Sequence, residues 1–396
     1  MSQSLPTEQD RIEVIDVLRG FTLFGIALVH FTEQFYAGMP PEGHNIAGPA
    51  VIDQVVSGIV GIFIQGKFFM IFSFLFGMSF FLQLNKAKGS TSFFLRFLWR
   101  LIILFGIGVI HQIHYRGDIL TIYAVLGIGL LVAFWFPDRL LFILALILVL
   151  DVPSIFVRIW DAFHQSGNPF DMNQAELLNY YNVVKSGTYG EIINANWKEL
   201  PGKWFFQVGS GRLYITLGLF LLGLYAGRKN WFGDAARWGK FRRYAAWGLL
   251  GCILFMVVIF GGTQLLKMEL PQAAQWAIGG AAYDFFNACL ATIYVSWIVT
   301  LFQKENWRSR LLALYAPGRM GLTTYLMQAA IGVLVFFSIG LGLLGDIGAG
   351  LCLILAVAVF YFQIRFAQLW FHYFRFGPVE WLWRSLTYWR IQPMRK

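Results

Sequence analysis

The sequence predicts an all-α fold: a polytopic integral membrane helix bundle of about ten transmembrane helices forming a single domain, 1–396. Hydrophobic residues make up 58% of the 396 residues and charged residues only 13%, which is far from the composition of a soluble domain. The apolar residues form runs of about twenty, the length that crosses a bilayer. Lys and Arg cluster between these runs, as the positive-inside rule expects.

Windows of this length locate the predicted spans in chain order. They cover 17–35, 59–84, 97–115, 119–136, 140–156, 206–226, 245–265, 277–302, 320–341 and 347–371.

The basic residues predict the orientation. Alternate connections contain Lys or Arg, whereas the first outer connection, 32–57, contains neither. We therefore expect both termini in the cytoplasm, with 375–396 as a cytoplasmic amphipathic tail. The segment 158–204 becomes a long extracytoplasmic loop, in which mixed charges and turn residues predict short surface helices.

The same observations limit the partners. The net charge of +10 is explained by topology, so we expect membrane lipids and no nucleic acid as partners. Each of the three cysteines lies in an apolar run and is expected to pack as a small hydrophobe, so no metal site is predicted. Oligomerisation is left open.

Residues 96–127 carry the main catalytic hypothesis. Two apolar runs meet there at a polar turn, and a helix over 96–115 is about 30 Å long, which places His111 about one turn below the outer surface. A neutral imidazole there can take a proton from a nucleophile, and Asp118 can orient the ring. The structural alternative is that Asp118 caps the next helix and the histidines bond backbone carbonyls.

Two further candidates lie in the first span. Asp16 and Arg19 are three residues apart on one helix face, so they can pair or bind an anionic head group; the alternative is an interfacial anchor. His30 lies near the outer end of that span, where a lone histidine is usually a packing residue.

Lys67 lies far from either end of its predicted span. A buried ammonium there needs a partner and indicates a polar cavity. If the helix begins only near Gly66, Lys67 lies at the outer interface instead.

Polar residues also mark the C-terminal part of the chain. Arg319, Tyr325 and Gln328 form a stripe that predicts a lined cavity. Glu380 and Arg384, four residues apart, predict an ion pair on an amphipathic interfacial helix. Motifs of phosphate-loop enzymes, serine hydrolases and common zinc enzymes are missing from the sequence.

The chain resembles the YeiB family of bacterial membrane proteins, also called the domain-of-unknown-function 418 family. The resemblance extends from end to end. Its motifs are D-V-L-R-G-F-T-L-F-G-I at 16–26, G-K-F-F-M-I-F-S-F-L-F-G at 66–77, H-Q-I-H-Y-R-G-D-I-L at 111–120 with Tyr123, G-R-M-G-L-T-T-Y-L-M-Q at 318–328 and G-P-V-E-W-L-W-R at 377–384.

That family is similar in its opening span to multi-pass membrane acyltransferases, which implies a location in the bacterial inner membrane. It also implies acyl transfer from cytoplasmic acyl-CoA to an acceptor on the far side. By this resemblance His111 is the catalytic base, Asp118 its partner, and Arg19 and Lys67 contact the anionic donor. The R-x-x-H-R-type motif of acyltransferase type 3 is missing here. The rival catalytic histidines are His44 and His30.

Three functional hypotheses follow. The first is an acyltransferase that modifies an extracytoplasmic small molecule or glycan. The second is a transporter of a small or amphipathic anion, with a path lined by Lys67, His111, Asp118, Arg319 and Gln328. The third is a non-catalytic membrane scaffold.

Overall fold

The regular structure is helical throughout. The computed structural model describes residues 8–38, 40, 41, 44, 46–86, 91–164, 174–268 and 270–396. Those residues contain no β-strand, which confirms the all-α prediction. The helices are α1 (Glu8–Thr32), α2 (Ala50–Phe63), α3 (Phe68–Lys86), α4 (Thr91–His114), α5 (Leu120–Ala133), α6 (Asp138–Val149), α7 (Val152–His164), α8 (Gln174–Ser186), α9 (Tyr189–Lys198), α10 (Leu200–Gly209), α11 (Arg212–Arg228), α12 (Ala235–Met256), α13 (Gly262–Leu265), α14 (Gln272–Phe302), α15 (Glu305–Leu311), α16 (Tyr315–Arg319), α17 (Gly321–Phe336), α18 (Ala349–Tyr373) and α19 (Pro378–Thr387).

Several of these helices are long and apolar enough to cross a membrane. Six described helical segments meet that condition, and the number is nine if each of three bent pairs counts as one span. The pairs are α6 with α7, α10 with α11, and α15–α16 with α17, bent by 44°, 70° and 79°. The apolar helix α5 has only 14 residues. The chain is thus a multi-pass membrane protein, and the number ten stays a prediction.

Burial separates the central helix from a peripheral one. In the apolar window of α1, 72% of residues are buried inside the protein, against 6% in the segment Ala235–Leu265, which begins with α12. Helix α1 packs against α3, α16, α17 and α18, whereas α12 packs mainly on α14. Lipid tails are as apolar as a protein core, so α12 can leave its side chains exposed in a bilayer.

Helices α3 and α11 approach closely at two glycines. A Cβ on Gly77 would lie 2.0 Å from the Phe220 carbonyl oxygen, and one on Gly223 would lie 2.1 Å from that of Phe74. Small residues allow membrane helices to bring their backbones into contact, which replaces the hydrophobic driving force that is lost in lipid. This crossing places α3 along one wall of the cavity described below.

The predicted outer loop, 158–204, forms helices that pack on the bundle. It contains the end of α7, all of α8 and α9, and the beginning of α10; residues 165–173 lie outside the described residues. Tyr181 and Val184 are buried in a cluster with Phe336 and Phe337. The short helices expected here are confirmed. We call α8, α9 and α10 the outer insertion, after the orientation predicted from the sequence.

The contacts of the C-terminal helix α19 differ from those that the sequence predicted. The predicted ion pair between Glu380 and Arg384 is wrong: Glu380 accepts hydrogen bonds from the N–H groups of Leu322 (2.7 Å) and Thr323 (3.0 Å) at the start of α17. Arg384 stacks on aromatic rings instead. A buried carboxylate gains more from unsatisfied N–H groups at a helix N-terminus than from an exposed cation.

Candidate active site

A buried His–Asp pair lies where the sequence predicted it. His111 is in the last turn of α4, and its Nδ1 is 2.8 Å from Oδ1 of Asp118 in the turn before α5. The two side chains are 5% and 0% exposed. A carboxylate accepts the Nδ1–H of a neutral imidazole, which leaves the lone pair on Nε2. Among the described residues, that Nε2 is buried without a hydrogen-bond partner.

Asp118 also caps α5. The two interpretations of the sequence, a partner of His111 and a helix cap, therefore both apply to this side chain. Its carboxylate accepts hydrogen bonds from the N–H groups of Leu120 and Thr121, each at 3.0 Å, and from the Thr121 hydroxyl at 2.8 Å. The cap fixes the carboxylate rigidly, and the fixed carboxylate holds the His111 ring. The catalytic role itself stays a prediction.

Lys203 of α10 completes this network, and the sequence analysis did not identify it. Its ammonium donates to Asp118 Oδ2 (2.9 Å), Gln112 Oε1 (2.9 Å) and Thr121 Oγ1 (2.7 Å). Its side chain is 8% exposed. A buried ammonium with three good acceptors, one of which is a carboxylate, is the arrangement that makes a buried ion pair tolerable.

Aromatic rings surround His111 on the side of the bundle core. Its ring centroid is 5.1 Å from that of Tyr325 and 5.5 Å from that of Tyr115. His30 joins the same cluster, 5.5 Å from Tyr115 and 6.2 Å from Tyr325. The structure therefore brings the predicted base, one rival histidine and the predicted stripe residue Tyr325 together.

A cavity extends from this aromatic cluster into the bundle. Its volume is about 270 Å³, slightly below the range typical of small-molecule sites. Its lining residues on α3 run from Phe69 to Gln83, which is about 20 Å at 1.5 Å per residue. The lining includes Leu120 and Tyr325, which adjoin the His–Asp pair. A space of this length and volume fits one extended chain.

Three arginines line the cavity at the opposite end, namely Arg19, Arg100 and Arg319. Arg19 forms an ion pair with Asp16 and donates to Ser79. The Arg100 guanidinium lies 4.3 Å from the Trp383 ring, and Arg319 lies 4.4 Å from the Phe371 ring. Guanidinium groups suit phosphate or carboxylate ligands, because their N–H donors match the oxygens of these anions. Arg100 was not predicted as a binding residue. In sequence it is one of the basic residues between apolar runs that indicate the cytoplasmic side, and a ligand-binding arginine there looks the same.

Three predicted binding residues do not line this cavity, namely Asp16, which pairs with Arg19, and the more distant Lys67 and Gln328. Lys67 is fully buried just before α3, where its ammonium donates to the carbonyl groups of Gly61 (3.2 Å) and Gln65 (2.8 Å). Gln328 donates to the Leu23 carbonyl and to Gln363 Oε1, both at 3.1 Å. Both side chains serve the packing of helices in the arrangement seen here. Neither lines the cavity.

The second rival histidine lies in a separate polar cluster. His44 Nε2 is 3.2 Å from Asp346 Oδ1, and the Lys185 ammonium donates to Asp346 Oδ2 at 2.6 Å. These side chains are between a quarter and a half exposed. Among the described residues, no group of three or more His, Cys, Asp or Glu side chains is arranged to hold a metal ion.

Comparisons with known proteins give bacterial relatives of the whole chain. The family profile described as "Protein of unknown function (DUF418)" matches residues 226–390. The chain is 30% identical to uncharacterized protein YxaH of Bacillus subtilis (strain 168), with 100% of this chain and 99% of the relative covered. It is 27% identical to uncharacterized protein YeiB of Escherichia coli (strain K12), with 96% of each chain covered. No solved structure matches.

Proposed function

This chain belongs to the DUF418 family, also called the YeiB family, and from that premise we propose that it is a membrane acyltransferase. The acyl donor is a cytoplasmic thioester such as acyl-CoA, and the acceptor is a hydroxyl or amine outside the cytoplasm. The observation that carries the proposal is the buried His111–Asp118 hydrogen bond of 2.8 Å beside an arginine-lined cavity. Neither His111 nor Asp118 lines that cavity, but Leu120 and Tyr325, which adjoin the pair, do. The location is the bacterial cytoplasmic membrane, with ten spans and both termini inside.

The cavity supports the donor side of this proposal. The anionic part of the donor binds at the arginines, and its chain extends through apolar walls formed by Phe72, Phe76 and Leu104. An acyl thioester has this combination of a phosphate-bearing end and an apolar chain. Arginine forks recognise phosphate through paired hydrogen bonds, and apolar walls exclude water from the thioester.

The His–Asp pair supports the chemical step. His111 Nε2 takes the proton of the acceptor as the acceptor oxygen or nitrogen attacks the carbonyl carbon of the thioester. The carbon–sulfur bond then breaks, and the departing thiolate takes the proton from His111. Asp118 accepts the Nδ1–H throughout and stabilises the imidazolium. The transfer needs no metal in this scheme.

Transfer of a radioactive acyl group tests the proposal. Membranes containing the protein are incubated with acyl-CoA thioesters labelled in the acyl group, from acetyl to palmitoyl, and the lipid and envelope-glycan fractions are separated. We expect labelled product with the wild type and at least a hundredfold less with His111→Ala, since general-base catalysis contributes about 10²–10⁴ in rate.

His114→Ala is the matched control, because His114 bonds only the Ile110 carbonyl and the Tyr189 hydroxyl among the contacts described. It should keep most of the activity. The same variants in a deletion strain, followed by lipid and glycan profiling, identify the acceptor. Transfer by His111→Ala at the wild-type rate would contradict the proposal.

The arginine-lined cavity also suits the alternative of anion transport. In that case the labelled compound would appear chemically unchanged inside sealed vesicles, and no covalent product would form. Of the five side chains assigned to a transport path, only Arg319 lines the cavity, so the predicted path does not follow it. We favour acyl transfer because the His111–Asp118 hydrogen bond provides a general base, which transport does not need.

A further inference from the structure

We propose that Lys203, supplied by the outer insertion, is a positioning residue that keeps His111 neutral and in the tautomer that reacts. This inference rests on the proposed function, because it assigns Lys203 a part in the same reaction. Lys203 acts through Asp118 and makes no contact with the reacting atoms in this scheme. The outer insertion is therefore a component of the site, and removing its contact with Asp118 should alter the chemistry of His111.

The geometry divides the Asp118 carboxylate between two partners. Oδ1 faces the His111 ring at 2.8 Å, and Oδ2 receives the Lys203 ammonium at 2.9 Å. Thr121 forms a second connection between Asp118 and Lys203, since its hydroxyl donates to Asp118 Oδ2 and accepts from the Lys203 ammonium. Each of the three ammonium protons has an acceptor. Lys203 therefore holds the carboxylate in the orientation in which Oδ1 meets His111.

The charges explain why the ammonium affects His111. A buried carboxylate with no other cation nearby favours protonation of an adjacent imidazole. The Lys203 charge offsets that of Asp118, which opposes the retention of a proton by the imidazole and leaves its Nε2 available as an acceptor. The other groups that face His111 are His30 from α1, Tyr115 from α4 and Tyr325 from α17. None of them carries a negative charge near neutral pH.

Lys203→Met removes the charge and keeps the apolar length of the side chain. We expect the acid limb of the pH–activity profile to move to higher pH by about one unit or more, because the unbalanced carboxylate now retains the proton on His111. A purely structural role for Lys203 would lower activity at every pH and leave the position of the limb unchanged. Lys203→Arg, which keeps the charge, should leave the limb close to its wild-type position.

A second measurement works without activity. The protein is labelled with ¹⁵N-histidine, and the His111 signal is assigned by its disappearance in His111→Ala. We expect the wild type to show a neutral ring protonated at Nδ1, and Lys203→Met to show protonation persisting to higher pH. Lys198→Met is the control, because Lys198 is an exposed lysine of the same insertion.

The outcomes separate the two proposals. If no acyl transfer occurs but Lys203→Met changes the titration of His111, the positioning role stands and the proposed function fails. If transfer occurs while Lys203→Met changes neither the titration nor the acid limb, the positioning role is overturned. Lys203→Gln, which keeps a hydrogen-bond donor without the charge, repeats both measurements if Lys203→Met does not fold.

Discussion

Asp118 satisfies two requirements that competed in the sequence. A helix cap and a histidine partner both need a carboxylate just before α5, and the two oxygens allow one side chain to serve as both. Replacing this residue would therefore affect the end of α5 and the His111 ring together. This coupling is the reason that His111 and Lys203, rather than Asp118, are the informative positions for mutation.

The cluster around Asp346 gives a pH-dependent prediction at the residue scale. The hydrogen bond from Lys185, together with that from His44, lowers the pKa of this carboxyl. A lowered pKa stabilises the fold above the unfolded value of about 3.9, and this contribution disappears as pH falls through the folded value. Asp346→Asn should therefore lower the melting temperature at pH 7.

The same variant should melt like the wild type once the carboxyl is protonated, well below pH 4. Melting curves of the purified protein in detergent, recorded from neutral to acidic pH, measure both differences. The effect should be small, since the Asp346 side chain is 43% exposed and solvent screens its attraction to Lys185 and His44. A pH-independent difference would show that Asp346 acts by packing rather than by charge.

Single residues were predictable from sequence only when their partners were close in the chain. His111 and Asp118 are seven residues apart, and the sequence places both at the same polar turn. Asp16 and Arg19 are three residues apart, which places them on one helix face. Lys203 joins Asp118 across 85 positions, and Glu380 joins Thr323 across 57. Such contacts depend on how helices pack in space, and no local periodicity records them.

At the scale of elements, the α3–α11 crossing depends on glycines at two positions, Gly77 and Gly223, where a side chain would not fit. Gly77→Leu would drive a side chain into the Phe220 backbone, which lies 2.0 Å from a Cβ at that position. We expect a loss of about 1–3 kcal/mol in the free energy of unfolding, the usual cost of overpacking, and a lower melting temperature in detergent.

Gly106→Leu is the matched control for that prediction. Gly106 lies in the spanning helix α4, and no atom lies within 4 Å of a Cβ built there. Its melting temperature should stay close to that of the wild type. Equal melting temperatures for the two variants would contradict the close approach of α3 and α11.

The apolar windows located hydrophobic segments of the chain, but they did not show where a helix breaks within such a segment. The span predicted over 59–84 is two helices, α2 and α3, that meet at a short break before Phe68. The buried Lys67 donates to carbonyl groups at and next to that break, and its role in donor binding stays a prediction. In hydrocarbon every unpaired carbonyl is costly, and an apolar run alone does not reveal where a helix breaks.

At the scale of the whole molecule, the orientation in the membrane can be tested directly. Ser186→Cys lies in the outer insertion and Ser309→Cys in α15, and both serines are exposed. If both termini are cytoplasmic, a membrane-impermeant maleimide added to spheroplasts should label Ser186→Cys. It should label Ser309→Cys only after permeabilisation.

The wild type, with its own three cysteines, measures the background labelling. The opposite labelling pattern would reverse the orientation and move the arginine end of the cavity to the outer side. A cytoplasmic donor would then be unable to reach it. The basic clusters predict an orientation, which stays a prediction. Three-dimensional packing was needed to reveal the cavity, because its wall residues come from helices far apart in sequence.

The attachment of α19 has a consequence for how the protein is made. Glu380 and Trp383 line the cavity. Glu380 also accepts hydrogen bonds from N–H groups in the first turn of α17. These two wall residues emerge from the ribosome after every other wall residue, the first of which is Arg19. Chains fold as they are synthesised, so earlier spans must insert with the cavity still open on this side. The cavity wall is therefore completed in the last step of biogenesis, and we expect a chain that ends before α19 to lack the proposed donor site.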